Sequence, residues 1–135
     1  MRILTKGADG QDNGWLTPIW NSLDGPSVDQ VYLTVIKAGT AKGPHLHMKR
    51  RGLFKVIVGT VRLVIRNKRG IYLSTEIDSD SDPVPVMPGT PCALYNQMAW
   101  NAYVLNMPSP AWRPDDRDEW PVENWNFSQE KRDEK

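Results

Sequence analysis

Apolar and polar residues alternate with a period of two in short bursts, and nowhere does an apolar period of 3.6 residues persist for three turns. Because successive side chains of a strand point to opposite faces, this pattern predicts an all-β chain. Candidate strands run over Trp15 to Trp20, Gln30 to Lys37, His45 to Lys49, Leu53 to Val58, Val61 to Asn67, Ile71 to Ile77, Pro85 to Met87, Pro91 to Asn96 and Ala102 to Asn106. Gly59-Thr60 reads as a tight hairpin turn, and Lys68-Arg69-Gly70 as a second turn. The run from Asp78 to Pro83, in which Ser and Asp satisfy backbone groups locally, reads as an acidic surface loop without chemistry of its own. About nine short strands in one chain fit a sandwich or a small barrel.

Length and composition narrow the picture. A chain of 135 residues with 39% apolar and 24% charged residues is the size of one domain, and 11 Pro with 10 Gly agree with many turns. Wholesale disorder and collagen are excluded. No apolar run approaches the ~18 residues of a membrane-spanning helix, and no signal-peptide core follows Met1, so the expectation is a cytoplasmic protein without a membrane partner. A single cysteine, Cys92, cannot form an internal disulfide. The domain is expected to span residues 1–127, and residues 128–135 to form a disordered charged tail. Before that tail, Trp112, Trp120 and Trp125 are expected to pack as a cluster that holds irregular chain against the body.

Net charge is only +1, yet the ten Lys and Arg between Gln30 and Thr75 share that window with both histidines and no acid. Such a segment can gather an anion. Lys42, Lys49, Arg50 and Arg51 are the candidates to face a ligand, whereas Lys55, Arg62 and Arg66 are expected to point outwards. From Arg113 onward eight acids stand against five bases, which opposes a nucleic acid and favours a phosphorylated small molecule. His45 and His47 stand at i and i+2, so a strand would turn both imidazoles to one face, where they can converge on one substrate atom or one metal ion. Pro88-Gly89 followed by the strand candidate at Pro91 would carry a further residue to the same cavity.

These residues resemble the cupins. Their first motif, G-x5-H-x-H-x3-4-E-x6-G, maps onto Gly39, His45, His47, Gly52 and Gly59, and their second, P-x-G-x2-H-x3-N, maps imperfectly onto Gly89, Cys92 and Asn96. Gly52 stands where a glutamate ligand would be, and Cys92 where the third histidine would be. The wider pattern, in Gly14-Trp15-Leu16, Gln30 to Thr34, Lys42 to His47 and Val104 to Pro108, resembles the sugar-nucleotide branch of dTDP-4-dehydrorhamnose 3,5-epimerases and dTDP-sugar 3,4-ketoisomerases.

That resemblance implies a jelly-roll barrel with an irregular C-terminal tail, a homodimer, a place in polysaccharide biosynthesis, no cofactor, and a nucleotide-linked keto sugar or other phosphorylated sugar as ligand. Lys42 would correspond to the diphosphate-binding arginine, His45 to the base, and His47 to its acid/base partner, with Arg51, Tyr32, Tyr95 and Tyr103 as substrate contacts. A base of near-neutral pKa suits removal of a proton next to a ketone, and a cationic or hydrogen-bonding group must then meet the enolate oxygen. The family's acidic tyrosine falls in a segment that here reads Ala111-Trp112-Arg113-Pro114-Asp115, so that acid is missing and Tyr95 or Tyr103 would have to substitute. Two alternatives stand beside the enzyme. One is a binding module that holds a phosphorylated sugar without turnover. The other is a metallocupin that places a zinc ion between His45, His47 and a Cys92 thiolate.

Overall fold

The computed structural model describes residues 2–23, 25 and 27–127. The expected charged tail over 128–135 lies outside the described residues. Ten strands are present among those described: β1 (Ile3–Lys6), β2 (Asp12–Leu16), β3 (Tyr32–Ile36), β4 (Ala41–His45), β5 (Gly52–Val58), β6 (Thr60–Arg66), β7 (Tyr72–Asp78), β8 (Val84–Val86), β9 (Cys92–Tyr95) and β10 (Ala102–Asn106). No helix occurs among the described residues, as the period-2 pattern predicts.

Two four-stranded antiparallel sheets, ordered β3-β10-β5-β8 and β4-β9-β6-β7, face each other as a jelly-roll barrel. Inward residues from both sheets meet in one core: Ile36, Val56 and Val104 from the first, Val61, Leu63, Ile77 and Leu94 from the second. Alternation explains the selection, since β3 buries Tyr32, Thr34 and Ile36 at least partly while Leu33 and Val35 stay exposed. Ladder register then carries function into the barrel. Asn106 on β10 lies directly opposite Tyr32 on β3 and Phe54 on β5, so these three side chains share one end of the inner face.

Gly59 does not make a hairpin. β5 pairs with β10 and β8, and β6 pairs with β7 and β9, so the chain crosses from one sheet to the other at this point. Its φ is +94°, and a Cβ there would lie 3.1 Å from the Ala102 Cα, so the corner is both left-handed and tightly approached. The turn at Lys68-Arg69-Gly70 does join paired strands, with the Asn67 side chain accepting from the N–H groups of Arg69 and Ile71. Lys55 is buried, contrary to the outward expectation, and its Nζ donates to the carbonyls of Ser79 (2.8 Å) and Ser81 (2.7 Å). The acidic loop is thereby pinned through its backbone carbonyls.

Among the described residues no strand follows β10, and the segment after it wraps the body. Trp125 stacks edge-on against Tyr72 with centroids 5.0 Å apart and donates to the Tyr95 hydroxyl at 2.9 Å, and Phe127 packs on both tyrosines. This segment covers the outer face of the second sheet, where Val64 and its register partner Ala93 are buried. The three tail tryptophans do not form one cluster: Trp112 and Trp120 remain about half exposed and lie at other places. Among the described residues the β1-β2 hairpin forms a sheet of its own, and it exposes Ile3, Leu4, Trp15 and Leu16.

Candidate functional site

β4 ends at His45, and Leu46 to Lys49 are not a strand. Gly43-Pro44 interrupts the β4 ladder, whose register shifts between Lys42 and His45. His45 and His47 therefore do not share a face by strand alternation. Their rings nevertheless lie nearly parallel, with an interplanar angle of 17° and centroids 6.3 Å apart, and both line one cavity of about 180 Å³.

What turns the rings is the wrapping segment. The Trp120 N–H donates to the Leu46 carbonyl at 2.9 Å, tying residues 118–120 alongside 46–50. Asp118 is only 7% exposed, and its carboxylate accepts from the backbone N–H groups of Met48 (3.0 Å), Lys49 (3.0 Å) and Arg50 (2.9 Å). Burial pushes this carboxyl up, but the N–H donors of Arg50, Lys49 and Met48, with the nearby His47, outweigh burial and hold it below the ordinary range. The buried Arg50 guanidinium closes the tie with an ion pair to Asp116 at 2.7 Å.

Each imidazole is anchored through Nδ1. The His45 Nδ1 lies 2.6 Å from Glu119 Oε1, and the His47 Nδ1 lies 2.6 Å from the Asp118 carbonyl. Carbonyl and carboxylate oxygens only accept, so both Nδ1 atoms carry hydrogen and each neutral ring keeps its lone pair on Nε2. Arg50 Nη2 is 3.1 Å from the His47 Nδ1 but can only donate, so the Asp118 carbonyl is the partner of the ring proton. The other Glu119 oxygen is 4.0 Å from His47 Nε2, which places one carboxylate beside both rings.

The remaining wall is mixed. Phe54, Val86 and Leu94 give an apolar floor, and Trp112 contributes from the wrapping segment. Gly52 also lines the cavity, where a Cβ would lie 3.3 Å from the Phe54 ring, so the missing side chain leaves that space to the phenyl group. Lys42 lines the cavity, and among the described residues no hydrogen bond or ion pair holds its side chain. Cys92 is buried in the wall, and burial, then the Glu119 charge, raise its thiol pKa to about 11.

Among the described residues no group of three or more His, Cys, Asp or Glu side chains is arranged to hold a metal ion, so His45, His47 and Cys92 are not gathered into one coordination sphere. Several expected contacts also lie elsewhere. The Arg51 guanidinium donates to the carbonyls of Ser27 and Met107, outside the cavity lining. Tyr95 points under the C-terminal segment, and Tyr103 lies on the outer face of β10 between Val35 and Val58. Tyr32 does line the cavity. The acid-free window is neutralised in part from outside it, by Asp116 on Arg50, Glu76 on Arg62 and Glu119 on His45.

No protein-family model matches the sequence, and no curated protein matches it. Solved structures do. A dTDP sugar isomerase from Desulfovibrio desulfuricans superposes with a TM-score of 0.74 at 15% identity, covering 90% of this chain and 79% of that one. A dTDP-4-dehydrorhamnose 3,5-epimerase from Bacillus anthracis, with TDP and pyrophosphate bound, gives 0.67 at 17% identity over 90% and 75%. This chain has a cupin-type fold. The capsular polysaccharide assembling protein CapF from Staphylococcus aureus gives 0.64 at 19% identity over 71% of this chain, which spans 29% of its length. Identities this low establish a shared cupin-type architecture, and chemistry must be argued from the site itself.

Asp116, Asp118 and Glu119 are the functional residues that strand patterning does not reveal. They sit in an acidic stretch without alternation, some 70 residues from the histidines, and no spacing or motif ties them to the pair.

Proposed function

We propose that this protein binds a nucleotide-linked keto sugar and moves a proton at the carbon next to the ketone. The observation that carries this reading is the pair of imidazoles anchored at Nδ1 by Glu119 and by the Asp118 carbonyl, with Nε2 left as the base. His45 takes the carbon-bound proton, Glu119 steadies the imidazolium that forms, and His47 stands next to it as acid/base partner. Lys42 on the cavity wall offers an ammonium for the diphosphate. A cavity of about 180 Å³ falls below the ~300–1,000 Å³ of typical ligand pockets, so the sugar enters and the nucleotide lies over the rim. Support also comes from the isomerase and epimerase that share the fold, the latter binding TDP.

The protein is further expected to work as a homodimer. An isolated two-stranded hairpin is marginal in water, and the exposed apolar side chains of β1 and β2 fit burial against a second copy.

Incubation with TDP-4-keto-6-deoxyglucose in deuterium oxide tests the reaction. Deuterium is expected at the carbon adjacent to the ketone, and substitution His45→Ala should abolish its incorporation. Tight binding of TDP with no exchange would overturn the enzyme and leave a binding module.

A further inference from the structure

The family acid is absent from the sequence position where it would stand, and Tyr95 and Tyr103 both lie away from the cavity. One phenol remains. Among the described residues Tyr32 is the sole tyrosine lining the cavity that His45, His47 and Glu119 share. Its direction is set by β3, where inward residues alternate as Tyr32, Thr34 and Ile36, and by the ladder that puts Asn106 directly across on β10.

Asn106 decides what the hydroxyl can do. The Leu53 N–H donates to the Asn106 Oδ1 at 3.3 Å, so the amide nitrogen faces the other way and donates to the Tyr32 oxygen at 2.7 Å. An amide N–H cannot accept, so this bond leaves the phenolic proton unused. Among the described residues no acceptor takes that proton. The same Asn106 bond stabilises a negative charge on the phenol oxygen, as a charge-assisted hydrogen bond, once the proton has gone.

We propose that Tyr32 is the proton donor to the substrate's carbonyl oxygen, with Asn106 as its positioning residue; this rests on the reading of the site as a keto-sugar isomerase. When His45 removes the proton beside the ketone, the C–H electron pair becomes the new C=C bond and the carbonyl π pair moves to oxygen. That oxygen takes the phenolic proton, giving an enediol and a phenolate held by the Asn106 N–H. The phenolate recovers a proton from the neighbouring hydroxyl as this becomes the new carbonyl, and the imidazolium returns its proton to the former carbonyl carbon. Tyrosine and histidine both end as they began, and no further reactant is needed.

The test compares wild type with Tyr32→Phe in the full chain, using TDP-4-keto-6-deoxyglucose in deuterium oxide followed by proton NMR, with TDP affinity and thermal melting as controls. Phenylalanine keeps the ring, so melting temperature and TDP affinity should stay close to wild type. The turnover number should fall by about 100-fold or more, the range typical of losing a general acid, with KM little changed. A Tyr32→Phe protein that turns over within about threefold of wild type overturns the assignment and leaves the isomerase reading intact. Wild type that neither exchanges deuterium nor forms product overturns both.

Discussion

Glu119 reaches His45 across 74 residues of sequence, its Oε1 lying 2.6 Å from the imidazole Nδ1. The contact fixes which nitrogen of the neutral His45 ring carries hydrogen, and so leaves the lone pair on Nε2. Replacing Glu119 by Gln removes the charge but keeps a carbonyl acceptor. Turnover is expected to fall by roughly 10- to 100-fold, less than the ~10⁴ typical of a buried orienting carboxylate, because Glu119 is 58% exposed and partly screened. Steady-state rates on the keto sugar check this, and an unchanged rate would remove Glu119 from the mechanism.

Asp118 gives a pH signature. Its folded pKa lies below the ordinary value, so it adds stability above the unfolded pKa near ~3.9, and that stability is lost as pH falls through the lower folded value. Urea midpoints of wild type should therefore drop steeply below about pH 4. An Asp118→Asn variant should be weaker at pH 7, by about 1–3 kcal/mol for the N–H donors left poorly matched, and its deficit should shrink towards acid. Parallel curves for the two proteins would show that this carboxylate does not bind the 48–50 backbone in solution.

Cys92 should be unreactive when folded. With its thiol pKa raised to about 11, almost none is thiolate at pH 8, and the side chain is buried as well. Alkylation by iodoacetamide is expected to be slow in native protein and fast in urea. Rapid native labelling at pH 8 would mean that the cavity wall opens.

The projecting hairpin predicts assembly. Sedimentation at micromolar concentration should give a species near twice 15.4 kDa, and a Leu4→Asp, Trp15→Asp double variant should shift it to the single-chain mass. A wild-type monomer would leave the hairpin's apolar face without its partner.

Most of the barrel was legible in the sequence. β5, β6, β7, β9 and β10 carry alternation or short apolar runs bounded by Gly, Pro or Asn, and their inward residues form the core. Other features were not. β1 is four residues long with mostly exposed side chains, so burial writes no pattern there. Gly59 looks like a hairpin turn because a corner between sheets and a tight turn both demand positive φ. The histidine pair was found for the wrong geometric reason: a carboxylate from Asp118, 68 to 70 residues away, shapes the 46–50 segment, and no local periodicity records a bond of that range. The family resemblance names Tyr32 as a substrate contact, but its unspent proton depends on which way Asn106 turns, a matter of three strands in register.

Because residues 116–120 lie on the chain outside every ladder of the barrel, the part that aims the imidazoles and the part that makes the container are inherited as separate stretches. Changes in that short strip can retune reactivity while the scaffold's interior stays as it is. A library confined to those five positions would thus sample new chemistries on one unchanged vessel.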